Sequence, residues 1–415
     1  MNLNLLGHPV KEVNFREIVK EIKARQHYTQ EIHSYPGKLI HHIPNYFISR
    51  FSEKGDTVLD TFCGTGTVLA EARLNSRNSY GIEINPLSCL ISRVKTTPLD
   101  TIKLRNESIK LFYEFEKLDG NIAFHKFPNI YFWFDRERIN GLSKFLHLLN
   151  FIEDKKFKEF FQVCLSSIIR KVSYADPRIS PAVKSKKRLE SIEHYGLPSV
   201  MESFKEAVNL NIERIEKFSR KCDWNCFVEI KESDAREIKL ENNRIDLVIT
   251  SPPYINAQKY IRSTKLEIFW LGLLNEDEIT KLDSDLVGTE KVFAESYNFL
   301  HNTGYNLADQ IISTIYNKDH RRAYIAYKFY VDMNKVFGEI FRVLKEEKYF
   351  VLIIGNNTIK GINVPNQEIL AEIAINNGFT IEHVFIDYIK SYGLMTKRNK
   401  TANMIDKEWV IVFRK

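Results

Sequence analysis

The chain has 415 residues, 44% of them hydrophobic and 27% charged, which excludes a disordered or collagen-like polypeptide. Its 60 Lys and Arg against 53 Asp and Glu leave a net charge of +7, too mild to name a partner by itself. Apolar runs such as Phe350–Ile354 fall far short of the roughly 20 residues a membrane helix needs. Met1–Leu5 lacks the basic flank and apolar core of a secretory leader. Five cysteines make no disulfide framework, so a cytoplasmic chain is expected.

In chain order, the first expected strand is Thr57–Phe62, entered through Lys54-Gly55-Asp56 and left through Gly64 and Gly66. A helix follows from Thr67, with Val68, Leu69 and Ala72 at helical spacing. The second strand, Tyr80–Ile84, runs into Asn85-Pro86, a helix opening because proline at the first helical position gives up no needed donor. Strand–helix–strand–helix within about forty residues signals parallel strands with crossover helices. From Thr101 to about Lys221, charged and aromatic residues mix at helical spacing, and a mostly helical insertion is expected. Strands resume at Phe227–Ile230, Arg244–Thr250, Tyr349–Gly355, Thr380–Ile386 and Trp409–Phe413, making seven. Several are continuous apolar runs suited to burial on both faces. Residues 1–100 and 226–415 thus form two parts of one α/β domain, with 101–225 inserted and a second insertion near 272–335.

Asp60-Thr61-Phe62-Cys63-Gly64-Thr65-Gly66-Thr67 sits where the first strand turns into a helix. Its glycines let the backbone approach a ligand, and the helix start offers unsatisfied N–H groups. Glu83, about twenty residues on, ends the second strand where a carboxylate accepts hydrogen bonds from ribose hydroxyls. The pattern is not a dinucleotide fingerprint, because the third glycine is missing. Asp60 would also repel a pyrophosphate, whereas it suits the cationic amino-acid end of S-adenosylmethionine. The plain alternative is a tight turn with no ligand.

Asp246–Tyr254 ends in Ser251-Pro252-Pro253-Tyr254. Two prolines cannot continue a central ladder, so the strand stops there and leaves a stiff turn at the carboxyl edge of the sheet. The exocyclic amine of a nucleobase is a poor nucleophile because its lone pair is conjugated into the ring. The Ser251 side-chain oxygen and a Pro-Pro carbonyl can accept its hydrogens and free that pair. Tyr254 can stack on the base.

These two stretches resemble the cofactor and catalytic motifs of the amino-group DNA methyltransferases. Ser-Pro-Pro-Tyr looks most like the cytosine-N4 enzymes; adenine-N6 enzymes usually carry Asp first. His33-Ser34-Tyr35-Pro36-Gly37-Lys38-Leu39-Ile40 is similar to the family motif lining the methionine end of the cofactor. Gly81–Pro86 resembles its ribose-binding strand, and Ser233-Asp234-Ala235 its adenine-side contact. Thr264-Lys265-Leu266-Glu267 lies where the family closes the cofactor pocket. The resemblance implies a Rossmann-like seven-stranded sheet, mostly parallel with its last strand antiparallel, and S-adenosylmethionine as cofactor, with no metal. The implied cofactor residues are Tyr35, Pro36, Lys38, Asp60, Phe62, Cys63, Gly64, Gly66, Thr67, Glu83, Ile84, Asp234, Ala235 and Ser251. Ser251, Pro252, Pro253 and Tyr254 are the catalytic set. The large insertion falls between strands two and three, whereas many relatives carry their recognition segment beside the catalytic strand.

The mild surplus of positive charge is clustered. Lys184, Lys186, Lys187 and Arg188 form one knot, with Arg178 in the polar loop before it; Arg321 and Arg322 form another, and Lys397, Arg398 and Lys400 a third. Each reads either as a solvated loop or as a phosphate-binding surface for double-stranded DNA with its target base flipped out. The expected activity is site-specific methylation of cytosine N4 in DNA, within restriction–modification or phage defence, beside a cognate nuclease or defence subunits. The rival readings are adenine-N6 or RNA-base methylation, and a catalytically silent DNA-binding subunit.

Overall fold

A nine-stranded sheet organises the computed structural model, which describes residues 4–19, 28–120, 122–124, 126–179, 181–255, 260–388 and 406–415. In chain order the strands are β1 (Asn4–Leu5), β2 (His8–Glu12), β3 (Thr57–Asp60), β4 (Asn78–Glu83), β5 (Val228–Glu232), β6 (Ile245–Thr250), β7 (Leu344–Ile354), β8 (Asn357–Ile359), β9 (Ile362–Val364), β10 (Thr380–Tyr388) and β11 (Lys407–Arg414). The spatial order is β1-β2-β10-β11-β7-β6-β3-β4-β5, with β8 and β9 forming a separate hairpin. Neighbours from β7 through β5 run parallel, and β11 runs antiparallel to both β7 and β10.

All seven expected strands are present, and the last is the antiparallel one. Two further strands extend the edge. β1 and β2 form a hairpin through Leu6 and Gly7, both at positive φ, and β2 pairs parallel with β10. Their sequence, with a proline and alternating charge, carries little strand signal. The β8–β9 hairpin was likewise illegible; it turns on Lys360-Gly361, again both at positive φ. β7 begins five residues before the expected Tyr349, at Leu344, because the charged run Lys345–Lys348 continues the strand beyond a register shift opposite Ile245–Leu247.

Helices cover both faces. On one, His320–Val343 and Asn366–Asn376 bury Phe329, Phe337 and Leu370 against Phe350 and Ile411. On the other, His42–Phe51 and Thr67–Leu74 bury Phe47 and Val68 against Leu247 and Val351. Each such side chain stabilises the fold by roughly 1.5–3 kcal/mol.

The segment between β4 and β5 is helical: Thr101–Lys117, Ile130–Trp133, Arg136–Leu149, Lys155–Ile168, Lys186–Tyr195 and Val200–Ser219 follow Pro86–Thr96. Phe145, Phe161 and Phe204 form its core, which is continuous with Leu87 and Leu90 of Pro86–Thr96. Arg73 braces its two ends, donating to the carbonyls of Thr96 (2.8 Å), Asp223 (3.0 Å) and Cys226 (2.5 Å). That clamp returns the chain beside β4, so β5 pairs with it despite the long excursion. Among the described residues no helix is long and apolar enough to cross a membrane.

Candidate active site

β3 lies between β4, which follows it in sequence, and β6, which comes much later. Strand order therefore reverses at β3, and a crevice opens at the carboxyl ends of β3, β4 and β6. Asp60, Glu83 and Ser251 stand at those three ends. All three line one cleft, together with Tyr35, Lys38, Phe62, Cys63, Gly64, Thr67, Ile84, Asp234, Ala235, Pro253 and Tyr254. The two motif stretches thus meet at one rim. Pro36, Gly66 and Pro252 do not line it; Gly66 precedes the helix at φ +77°, where a Cβ would strike Ser92.

The Gly64 N–H donates to Glu83 at 2.9 Å, and the N–H groups of Ile84 and Asn85 donate to its other oxygen at 3.0 and 2.8 Å. Burial pushes the Glu83 carboxyl up, and these three amides pull it back. Gly64 has φ +48° and open space where a Cβ would be, so the backbone is free to approach a ligand there. Asp60 is 4% exposed. It accepts from the Thr250 hydroxyl at 2.7 Å and the Phe62 N–H at 3.1 Å. Burial raises it to about 7 against those two donors, and the neighbouring Glu83 adds to the rise. A buried carboxylate short of positive charge, at the methionine end of the expected cofactor, fits a cationic ligand.

Other expected contacts are already engaged. Tyr35 is held through its hydroxyl by Asn85 Nδ2 (3.2 Å) and Ser88 Oγ (2.8 Å). Lys38 turns back to the carbonyls of Gln30 (2.9 Å) and His33 (2.6 Å). Asp234 forms a two-pronged pair with Arg236. Thr264–Glu267 do not line the cleft. Glu267 is buried against Arg170 at 2.9 Å, and Ile261 and Arg262, just before it, reach the cleft instead.

Sequence reasoning missed one wall. Asp283 and Asp285–Lys291 line the same cleft as a strap. Gly288, at φ +78°, brings it to Pro253 and Tyr254, each 3.9 Å from where a Cβ would stand. The strap is tied down by Arg236, which donates to the Asp285 carbonyl at 2.6 Å. Arg321 donates to the Glu290 carbonyl at 2.8 Å and Arg322 to the Glu290 carboxylate at 2.9 Å. Gly288 was the single cue in its sequence.

The basic knots divide by what they touch. Arg178 clasps the buried Asp176 with two bonds, Lys184 stands over the rings of Phe132 (3.8 Å) and Tyr174 (4.7 Å), and Arg188 donates to the carbonyls of Lys171 and Ser173. These three shape the loop. Lys186 and Lys187 are exposed at the start of helix Lys186–Tyr195, Lys186 beside Glu190 at 3.7 Å. Lys397, Arg398 and Lys400 lie outside the described residues.

A family model described as DNA methylase, for the N6 and N4 amino methyltransferases, matches residues 9–93. The Type II methyltransferase M.MvaI of Kocuria varians is 29% identical over 409 residues, covering 91% of this chain and 87% of that protein. The Type II methyltransferase M.BsoBI of Geobacillus stearothermophilus is 25% identical over 411 residues, covering 87% and 79%. Among solved structures, a TehB-like SAM-dependent methyltransferase of Corynebacterium glutamicum overlaps at a TM-score of 0.31 with 9% identity, over 92% of this chain and 90% of that one, a likeness too low to carry argument. The sheet order and its rim make an α/β fold with a ligand crevice at the carboxyl ends of its central strands, and the methyltransferase matches give S-adenosylmethionine as its cofactor. With the relatives added, the motif resemblance and the sequence similarity agree: both point to the amino-group DNA methyltransferases.

Proposed function

We propose that the acceptor is the exocyclic N4 of cytosine in DNA, extruded from the duplex. One observation carries the site assignment: Ser251 and Tyr254 line the cleft that Asp60 and Glu83 also line. S-adenosylmethionine supplies a methyl on a sulfonium, which is already an activated leaving group. Asp60 attracts the cationic end of the donor, Glu83 takes the ribose, and Gly64 leaves room for its approach. The Ser251 oxygen and the Pro252 carbonyl would accept the two amine hydrogens and free the nitrogen lone pair; as the N–CH3 bond forms, the S–CH3 bond would break to leave the neutral thioether, and one amine hydrogen would leave as a proton past Ser251 to solvent. Tyr254 holds the base plane, and in-line positioning supplies most of the rate. Serine in the first motif position, where adenine-N6 enzymes usually carry Asp, favours cytosine.

The helical insertion, with Lys186 and Lys187 exposed, is proposed to meet the DNA backbone. The names of the relatives favour a restriction–modification role with a cognate nuclease. Incubating the purified chain with DNA and a labelled methyl donor, then digesting to nucleosides for mass spectrometry, tests the reading. N4-methylcytosine is the expected product. N6-methyladenine would overturn the base, and no methylated nucleoside would overturn the activity.

A further inference from the structure

Tyr254 is held from the far side of the catalytic turn. Its hydroxyl donates to Glu408 Oε1 at 3.1 Å. Glu408 belongs to the start of β11, which is flanked by β10 and β7 and so has a fixed backbone. Opposite it in the ladder is Asp387, 2% exposed, and Arg16 reaches Asp387 at 3.4 Å. Two carboxylates therefore stand side by side on adjacent strands, one facing Arg16 and the other facing the phenol.

We propose that Glu408 is a positioning residue that sets the ring plane of Tyr254 for the extruded base, a role that rests on the function proposed above. A phenol on a turn can rotate about its side-chain torsions. A carboxylate acceptor makes the stronger kind of hydrogen bond and leaves the hydroxyl only the donor role. It fastens the distal end of the ring to the sheet while Pro252 and Pro253 fix the proximal end. The ring then has one orientation before any base arrives, which lowers the ordering cost of stacking. Desolvation pushes Glu408 up, the phenol bond opposes that, the Asp387 charge adds to it, and Arg16 opposes it again. The acceptor thus keeps its place through the bond it makes. The strap meets the same turn at Gly288, against the Pro253 ring and the Tyr254 carbonyl, so the backbone that carries the phenol is braced as well.

The test is a cycle of Glu408→Ala, Tyr254→Phe and the double variant, with Glu408→Gln as the conservative control. Glu408→Ala should lower kcat on DNA by roughly tenfold to a hundredfold, the size expected for misplacement of a reacting partner. Affinity for S-adenosylmethionine, measured by calorimetry, should stay unchanged. Glu408→Gln keeps an acceptor oxygen and should recover most of the rate. Tyr254→Phe should lose as much as Glu408→Ala, and the double variant no more than either. Full additivity, or a Glu408→Ala chain with normal kcat, would overturn the proposal. A crystal structure of Glu408→Ala gives a readout free of activity: a displaced Tyr254 ring is expected, and an unmoved ring overturns the role. A wild-type chain that transfers no methyl to DNA would instead overturn the proposed function.

Discussion

The Thr250 hydroxyl donates to the Asp60 carboxylate at 2.7 Å, across 190 positions of sequence and from one parallel strand end to its neighbour. Thr61 in turn donates to Thr250 at 3.2 Å. The last residue of β6 thereby supports Asp60, the last residue of β3 and the first of the glycine turn. Thr250→Val keeps the shape and removes the donor. Asp60 then loses a bond that favours its ionised form, so affinity for S-adenosylmethionine should fall by about 1 kcal/mol, roughly fivefold. Calorimetry on the purified variant reads this directly, and wild-type affinity would reject the linkage between the two strand ends.

Asp60 itself should make cofactor binding depend on pH. Burial, and after it the neighbouring Glu83, push its carboxyl up to about 7. A cationic ligand favours the ionised form, so binding lowers that value and releases a proton. Affinity should therefore climb from pH 6 to pH 8, by at most roughly tenfold per unit for one linked proton. The sign for stability is opposite. A carboxyl raised from 3.8 to about 7 contributes stability that is fully present below the lower value and lost as pH rises to the higher one, so the unliganded chain should weaken between those two values and level off above about 7. Titrations in two buffers of different ionisation heat count the released proton. Asp60→Asn should abolish the release; an unchanged count would assign it to another group.

Ser251→Ala tests the chemistry rather than the binding. The serine oxygen stands at the end of β6 on the cleft wall, beside the Pro252–Pro253 turn. Without it the amine loses one acceptor in the transition state. The loss should appear as at least about a hundredfold drop in kcat with unchanged cofactor affinity, the size measured when a preorganised polar contact is removed elsewhere. A single-turnover assay with labelled donor separates the two, and normal turnover would reassign the amine to other groups.

Much of this rim was legible in the sequence because its signals are local. A glycine turn after an apolar strand, an acidic residue at the next strand end and a proline pair after a third each carry their reason within a few residues. What was not legible depends on neighbours far away in the chain. The Thr250–Asp60 bond exists only because β6 lies beside β3. The strap at 283–291 has no motif; its place follows from Arg236, Arg321 and Arg322 holding it. Those two arginines looked like phosphate ligands by composition, yet both bond Glu290. The edge hairpin β1–β2 was missed because two short polar strands have almost no periodic signal, and pairing with β10 supplies the rest.

The same division predicts how DNA binding responds to charge removal. Lys186 and Lys187 are exposed, whereas Arg188 is committed to the carbonyls of Lys171 and Ser173. Lys186→Glu with Lys187→Glu should weaken DNA binding and flatten its dependence on salt, since each lost phosphate contact removes about one unit of slope. Thermal stability should hardly change, because exposed charges contribute little. Arg188→Ala should do the reverse, lowering stability by freeing the 176–188 loop. Fluorescence anisotropy across a salt series distinguishes them, and an unchanged slope in the double lysine variant would remove this face from the interface.

Arg170 and Glu267 join the helical insertion to the segment after β6. The guanidinium donates to Glu267 at 2.9 Å, to the Ile179 carbonyl at 3.0 Å and to the Ser263 carbonyl. Glu267 is buried, and desolvation raises its carboxyl while Arg170 holds it down. Arg170→Met strands that carboxylate and should cost about 3–5 kcal/mol of stability, read as a lower urea midpoint at constant slope. Without the cation Glu267 shifts further up, and protonation relieves the penalty at low pH. The deficit should thus be smaller at pH 5 than at pH 8. Arg170→Met combined with Glu267→Met removes both charges and should recover much of the loss. Ile261 and Arg262, on the same segment, line the cleft, so the single variant should also bind S-adenosylmethionine more weakly. Equal stability of the wild type and the single variant at both pH values would mean that this pair holds nothing, and that packing alone seats the insertion against the site.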